Sequence, residues 1–261
     1  MSAGPDTLQG RVVLLTGASQ GIGAASARIL AARGAAIVGH HRGAAEREDL
    51  VGVLGEEDGQ RRRYVAGDYL DDKQVDGIWE QAVAWQGHVD VLVLNAAMMH
   101  PAGGVDDDPI SWDNSWQQHY QVNVQAPARL MRAAVRHFRE RSGGVIILIS
   151  SWVAQRGASN PSMLPYAASK AAIKAVAQSI ARSYAEHGVL CYIIAPGIVR
   201  TRMSTDFAAL QGGEDAVTRT LAMKEWVPPA EIGEIIAFLA TGQVRHLSGA
   251  TLDVNGATYI R

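Results

Sequence analysis

The sequence predicts an α/β fold, a parallel β-sheet with helices packed against it. Three observations carry that expectation. Short apolar runs alternate with longer Ala-rich or amphipathic stretches along most of the chain, the pattern of right-handed βαβ units. The first run, Val12 to Leu15, leads through a glycine-rich turn into a helix. Gly17, Arg42, Asp68 and Asn95 each fall just after a strand, along the sheet edge where such folds bind ligands.

The elements follow in order. Val12–Leu15 is the first strand. It ends in Thr16-Gly17-Ala18-Ser19-Gln20-Gly21-Ile22-Gly23, and a helix runs from Ala24 to Arg33 and stops at Gly34. Glycines there let the backbone approach a pyrophosphate, while the helix N-terminus supplies amide donors and positive dipole. The second strand is Ala36 to His40, followed by His41-Arg42-Gly43. No acid occurs from Ala36 to Ala45, so Arg42 stands free to receive a 2′-phosphate. A helix over 44–54, a third strand over 64–66, a helix over 71–85 and a fourth strand over 89–94 come next. Arg61-Arg62-Arg63 reads as a solvated edge.

Residues 99–115 read as a polar loop, and Asp106-Asp107-Asp108 as a solvated turn without metal-ligand spacing. One long helix is expected over 112–141, kinked at Pro127. Proline lacks an amide hydrogen, so the carbonyl of Asn123 loses its intrahelical partner and becomes free for water. The fifth strand is Val145–Ile149, ending in Ser150-Ser151-Trp152. A helix begins near Tyr166, the sixth strand is Leu190–Ile194, a helix spans 229–239, and the seventh strand is Thr251–Val254. Residues 200–225 are of mixed character and form the candidate mobile substrate lid.

Tyr166 and Lys170 are four residues apart in a helical stretch and therefore share a face. A tyrosine, with a pKa of about 10, is a poor base near neutral pH, and a neighbouring ammonium lowers it. The pair is an economical way to build a proton-transfer tyrosine. A serine ending the fifth strand reaches the same carbonyl oxygen.

Composition bounds the rest. With 261 residues, 48% of them hydrophobic and 19% charged, the chain can build one sizeable core. Residues 1–9 read as a polar tail and 10–261 as a single dinucleotide-binding and catalytic domain. The net charge of −2 and the lack of a Lys/Arg block point away from nucleic acid. No apolar run reaches membrane-spanning length. The lone Cys191 lies in an apolar strand, suits packing and permits no internal disulfide. A cytoplasmic protein is expected.

On these motifs the chain resembles the classical short-chain dehydrogenase/reductase family over about Gly10 to Tyr259. The pieces are Thr16–Gly23, Asn95-Ala96-Ala97, Asn123, Ser151, Tyr166-Ala-Ala-Ser-Lys170, Pro196-Gly197 with Thr201, and Leu247–Gly256. The resemblance implies a three-layer, Rossmann-type doubly wound sandwich with a seven-stranded parallel sheet, assembled as a tetramer or dimer. It implies Tyr166 as general acid/base, Lys170 as the residue gripping the nicotinamide ribose, Ser151 as the carbonyl-orienting hydroxyl and Asn123 as the water-holding member. Cofactor contacts are implied at Gly17, Ser19, Gln20, Gly21, Ile22, Gly23, His41, Arg42, Asp68, Tyr69, Asn95, Ala96, Pro196, Gly197, Ile198 and Thr201. Substrate contacts are expected at Met98, Ser151, Trp152 and Met203, with Met99, Met163, Leu164 and Phe207 near the mouth.

Three positions depart from the family pattern. Met98 stands where glycine is usual, the Ser151–Tyr166 loop is longer, which makes Ser150 the alternative serine, and Gln20 replaces a common Arg or Lys. The expected activity is hydride transfer between a nicotinamide cofactor, NADP(H) in preference to NAD(H), and a small-molecule ketone or secondary alcohol. A 3-oxoacyl reductase is the alternative enzyme; Ser142 and His187 occupy the positions where such reductases place docking arginines. The intact Tyr, Lys and Ser weigh against a non-catalytic dinucleotide-binding module.

Overall fold

The computed structural model describes residues 7–261. Seven strands form one all-parallel sheet in the order β3-β2-β1-β4-β5-β6-β7. They are β1 (Val12–Leu15), β2 (Ala36–His41), β3 (Arg62–Ala66), β4 (Val91–Leu94), β5 (Gly144–Ile149), β6 (Val189–Pro196) and β7 (Thr251–Val254). The order reverses between β1 and β4, which opens a crevice beyond their carboxyl ends.

Both faces of the sheet are covered, so the strands are apolar on both sides. Val12 and Leu14 of β1 point into one core, and Val13 and Leu15 into the other. The first core takes Val75 and Ile78 from α3 (Asp72–Gln86), Leu130 and Phe138 from α5 (Ala126–Glu140), and Ile173 from α7 (Leu164–Ser183). The second takes Leu30 from α1 (Gly21–Ala32), Leu50 from α2 (Ala44–Leu54), and Ile232 and Ile236 from α10 (Pro229–Ala240). Cys191 is buried in the first core, and burial pushes its thiol up to about 12, the environment of a packing residue.

Several boundaries differ from the sequence reading, each for a physical reason. The glycine turn enters α1 at Gly21. β3 starts at Arg62 because Arg62 and Arg63 pair with Ile37 and Val38 on the sheet edge. Asp108 caps α4 (Pro109–Tyr120) by accepting from the Ile110 and Ser111 amides, so that helix begins before Trp112. Asp107 accepts from the Gly103 and Gly104 amides. The long helix is interrupted by a π turn over Gln121–Gln125, not by a plain kink at Pro127, and the Ala126 amide reaches back to the Gln121 carbonyl. Of the expected N-terminal tail, residues 1–6 lie outside the described residues. Leu8 is fully buried, and its amide donates to the Arg33 carbonyl at 2.8 Å. Residues 202–225 contain α8 (Arg202–Ala209) and α9 (Glu214–Thr220). Among the described residues no helix is long and apolar enough to cross a membrane.

Candidate active site

A cavity of about 640 Å³ lies along the carboxyl ends of the strands. It runs from the glycine turn to Tyr166 and Lys170. Every residue expected to touch cofactor or substrate lines it except Gly23. Asn123, expected as the water-holding residue, stands behind the wall. Leu164 does not line the cavity, although Met98, Met99, Trp152, Met163, Met203 and Phe207 do. A helix turns 100° per residue, so a position two before Tyr166 faces nearly the opposite way.

The strand-end turns are knitted together. The Thr16 hydroxyl accepts from the Asn95 and Ala96 amides at 3.0 and 3.1 Å. The Asn95 side-chain amide donates to the Thr16 and Gly17 carbonyls at 3.0 and 2.9 Å. Gly17 and Gly21 have φ of +62° and +53°, where a side chain strains the backbone. Gly23 lies behind the turn, and a Cβ there would meet the Gly17 carbonyl oxygen at 1.9 Å. Gln20 precedes α1 without a side-chain cap, and the first turn carries no acid. The leading amides therefore stay available to an anion. This glycine cradle fits the pyrophosphate of a dinucleotide.

Beyond the turn, Arg42 and Glu46 both line the cavity and pair at 3.1 Å. The Arg42 side chain is 71% exposed. Gln20 donates to Asp49 at 2.8 Å and so is engaged away from the cavity. His41 is buried, and its Nδ1 donates to the Gly43 carbonyl at 3.0 Å.

At the other end, the two serines separate. The Ser150 hydroxyl donates to the Lys170 carbonyl at 3.2 Å, while the Ser151 hydroxyl bonds the Tyr166 phenol. The Lys170 ammonium donates to the Ile149 carbonyl at 2.9 Å and lies 5.9 Å from the Tyr166 ring centre. Burial pushes the Tyr166 phenol up to about 12, against the lowering effect of Ser151, and brings Lys170 down to about 8. Desolvation is the largest influence on both groups, and the lowering at Tyr166 comes from the Ser151 hydrogen bond, not from Lys170 as expected. Asn123 acts through its side chain. Its Oδ1 accepts from the Met98 amide at 2.8 Å, and its Nδ2 donates to the Met98 carbonyl and the Ser169 hydroxyl at 2.9 and 3.0 Å. Ser169 in turn donates to the Tyr166 carbonyl at 2.8 Å, so the π turn is tied to the start of α7.

The family model described as short chain dehydrogenase matches residues 11–211. The chain belongs to the short-chain dehydrogenase/reductase family. It is 32% identical to cis-4-hydroxycyclohexanecarboxylate dehydrogenase of Sinomonas cyclohexanicum over 94% of this chain and 95% of that one. It is 31% identical to the 3-oxoacyl-(acyl-carrier-protein) reductase FabG of Escherichia coli, over 97% and 98%. A crystal structure of a 3-ketoacyl-(acyl-carrier-protein) reductase from Brucella melitensis complexed with NADH superposes with a TM-score of 0.85 at 27% identity, covering 97% of this chain and 100% of that one. As a member of this family the protein is an NAD(P)-dependent oxidoreductase.

Two features of this dehydrogenase/reductase escape sequence reasoning. His119 of α4 is fully buried and sets its ring edge against Tyr166, with centroids 6.4 Å apart. Its Nδ1 donates to the Ser115 carbonyl at 2.8 Å, and its Nε2 accepts from the His100 amide at 3.2 Å. His40, at the end of β2, lines the cavity beside the glycine turn. No local pattern marks either residue, because both gain their partners only through tertiary contacts.

Proposed function

We propose that the enzyme is an NADP(H)-preferring carbonyl reductase that interconverts a ketone and a secondary alcohol. The observation carrying this reading is the convergence of Ser151, Tyr166 and Lys170 in the cavity that also holds the glycine cradle. When bound, the nicotinamide supplies or accepts the hydride. Ser151 and Tyr166 hydrogen-bond the substrate carbonyl, and Tyr166 protonates its oxygen. A phenol pushed up to about 12 is protonated through the neutral range, so the proton needed in reduction is present, and the alkoxide formed by hydride addition is basic enough to take it. Lys170 grips the nicotinamide ribose and supports the phenolate that remains. Asn123 holds the start of α7 in place through Ser169. The test is a panel of ketones and secondary alcohols, each with NADPH or NADP⁺, followed at the nicotinamide absorbance band. Turnover of ketones supports the reading, and no turnover across the panel in either direction contradicts it.

The apolar end, with Met98, Met99, Trp152 and Met163, suits a compact hydrocarbon body. The substrate named for the Sinomonas relative, a secondary alcohol on a cyclohexane ring that also bears a carboxylate, has a ring body of that kind. An acyl-carrier substrate, as named for FabG, is less well served because Ser142 and His187 provide no guanidinium. The lid spans 200–225. Its helices bring Met203, Phe207 and Val217 to the cavity, and Arg200, just before α8, pairs with Glu214 at the start of α9 at 3.0 Å. Exposed Val105, Ile110 and Tyr120 support assembly into a dimer or tetramer, and the buried lone cysteine accords with a cytoplasmic setting.

Ser151→Ala is expected to lower kcat/KM roughly 10²-fold, since it removes one donor to the carbonyl oxygen. Ser150→Ala, which loses only its bond to the Lys170 carbonyl, costs less; the reverse order assigns the role to Ser150. The preference for NADP(H) rests on Arg42. Its pairing with half-buried Glu46 limits the gain, because the guanidinium must be shared. Arg42→Ala should reduce the ratio of kcat/KM for NADPH over NADH by about tenfold. A ratio that does not move returns Arg42 to the solvated surface. A Beutenbergia cavernae neighbour carries NADP at low occupancy, so this architecture admits the extra phosphate.

The pH dependence follows from Lys170. Burial lowers its pKa, so the ammonium is complete below about 8 and is lost as pH rises through that value. Ketone reduction at saturating cofactor should fall above about pH 8. A flat rate between pH 7 and about 9.5 removes the Lys170 ammonium from support of the phenolate.

A further inference from the structure

His40 is a buried imidazole in a wall of the cavity, and both its nitrogens are engaged. Its Nδ1 accepts the Gly17 amide hydrogen at 3.2 Å, and its Nε2 donates to the Gly67 carbonyl at 2.8 Å. Only the neutral, Nε2-protonated ring can do both. The ring also stacks on Tyr69, with centroids 5.3 Å apart and planes 20° from parallel. Burial, the largest influence, brings its pKa down to about 4, so the neutral form holds at physiological pH.

The partners give this ring its meaning. Gly17 opens the glycine cradle and sits at positive φ. Its carbonyl is already held by Asn95, and His40 holds its amide. Gly67 ends the connection from β3, directly before Asp68 and Tyr69, which line the same cavity. His40 thus joins the turn after β1 to the turn after β3 across the end of β2. An apolar side chain of similar size would fill the space but leave the Gly17 amide without an acceptor, the Asn95 bond to the Thr16 carbonyl then being the only side-chain tie on that peptide.

We infer that His40 is a positioning residue for the dinucleotide: by holding Gly17 and Gly67 together it sets the glycine turn in the geometry that receives the pyrophosphate. The inference rests on the proposed reading of the cavity as the cofactor site. It also implies that the Gly17 amide is spent on the His40 ring and, with the Ala18 amide donating to the His40 carbonyl at 3.1 Å, that the anion is met by amides beyond Ala18.

Three variants of the full chain separate this role from simple packing. His40→Asn places an acceptor where Nδ1 stood. His40→Gln places a donor near the Nε2 position but leaves Gly17 without its acceptor. His40→Leu supplies neither. The Kd for NADPH and NADH is read by nucleotide fluorescence, together with the cofactor KM and kcat on a ketone turned over in the panel. His40→Leu and His40→Gln are expected to raise Kd and cofactor KM about tenfold, the loss of one hydrogen bond, with a smaller change in kcat. His40→Asn should recover most of that loss. Equal Kd in the Asn and Gln variants overturns the inference, as does a Kd unchanged in all three despite lower thermal stability. If His40→Leu does not fold, the Asn and Gln pair decides. Wild-type protein that binds neither nucleotide defeats the reading of the cofactor site itself, and this inference with it. Wild-type binding with no Asn–Gln difference defeats this inference alone.

Discussion

Tyr166→Phe is expected to lower kcat by roughly 10³-fold or more while leaving NADPH affinity near wild type. The substitution removes one oxygen and keeps the ring, which still packs against the edge of His119. The lost hydroxyl is the group that bonds Ser151 and that, in the proposed reaction, gives its proton to the carbonyl oxygen. Ser151 remains as a hydrogen-bond donor, but an alkyl hydroxyl is a far weaker acid than a phenol and does not replace its proton. Affinity is carried by the glycine cradle at the other end of the cavity and should not follow the rate. A variant that keeps more than a tenth of wild-type turnover removes Tyr166 from proton transfer.

Gly23→Ala should damage cofactor binding and stability together. The added methyl would stand 1.9 Å from the Gly17 carbonyl oxygen and 2.8 Å from the Asn95 side-chain nitrogen. Neither neighbour is a flexible chain end: one is backbone and the other is bonded to both Thr16 and Gly17. The turn must therefore move away from α1. Overpacking of this kind costs about 3 kcal/mol, a fall in Tm on the order of 10 °C for a chain of this size. Because the displaced atoms are those of the cradle, the Kd for NADPH should rise by more than tenfold as well. Calorimetry and nucleotide titration of the same preparation check both. Wild-type Tm and Kd in that variant would mean that α1 and the turn are not packed as described.

Much of this could be read in the sequence because it is local. Continuous apolar runs on strands covered on both faces, glycines between a strand and a helix, and a tyrosine four residues before a lysine depend on neighbours within one or two turns of chain. The Tyr166 environment does not. Its pKa is governed by how much water the assembled cavity excludes, which no local pattern of residues reveals. The π turn left only Pro127 as a trace, since a shift to longer hydrogen bonds has no periodic signature. The choice between Ser150 and Ser151 depends on which hydroxyl meets the Tyr166 phenol and which the Lys170 backbone, and adjacent serines in a sequence do not reveal it. His40 was legible only as one more strand residue; its partners, Gly17 and Gly67, meet it when β1, β2 and β3 line up.

The central claim is that this cavity moves hydride to a carbonyl carbon with Tyr166 providing the proton. The most direct measurement uses NADPH deuterated on the transferable position of the nicotinamide ring, with a ketone identified from the panel and mass analysis of the alcohol formed. The account predicts one deuterium on the carbinol carbon with wild-type protein, and almost no labelled alcohol with Tyr166→Phe despite normal NADPH binding. Alcohol formed without deuterium at that carbon, or labelled alcohol formed equally fast by Tyr166→Phe, would contradict it.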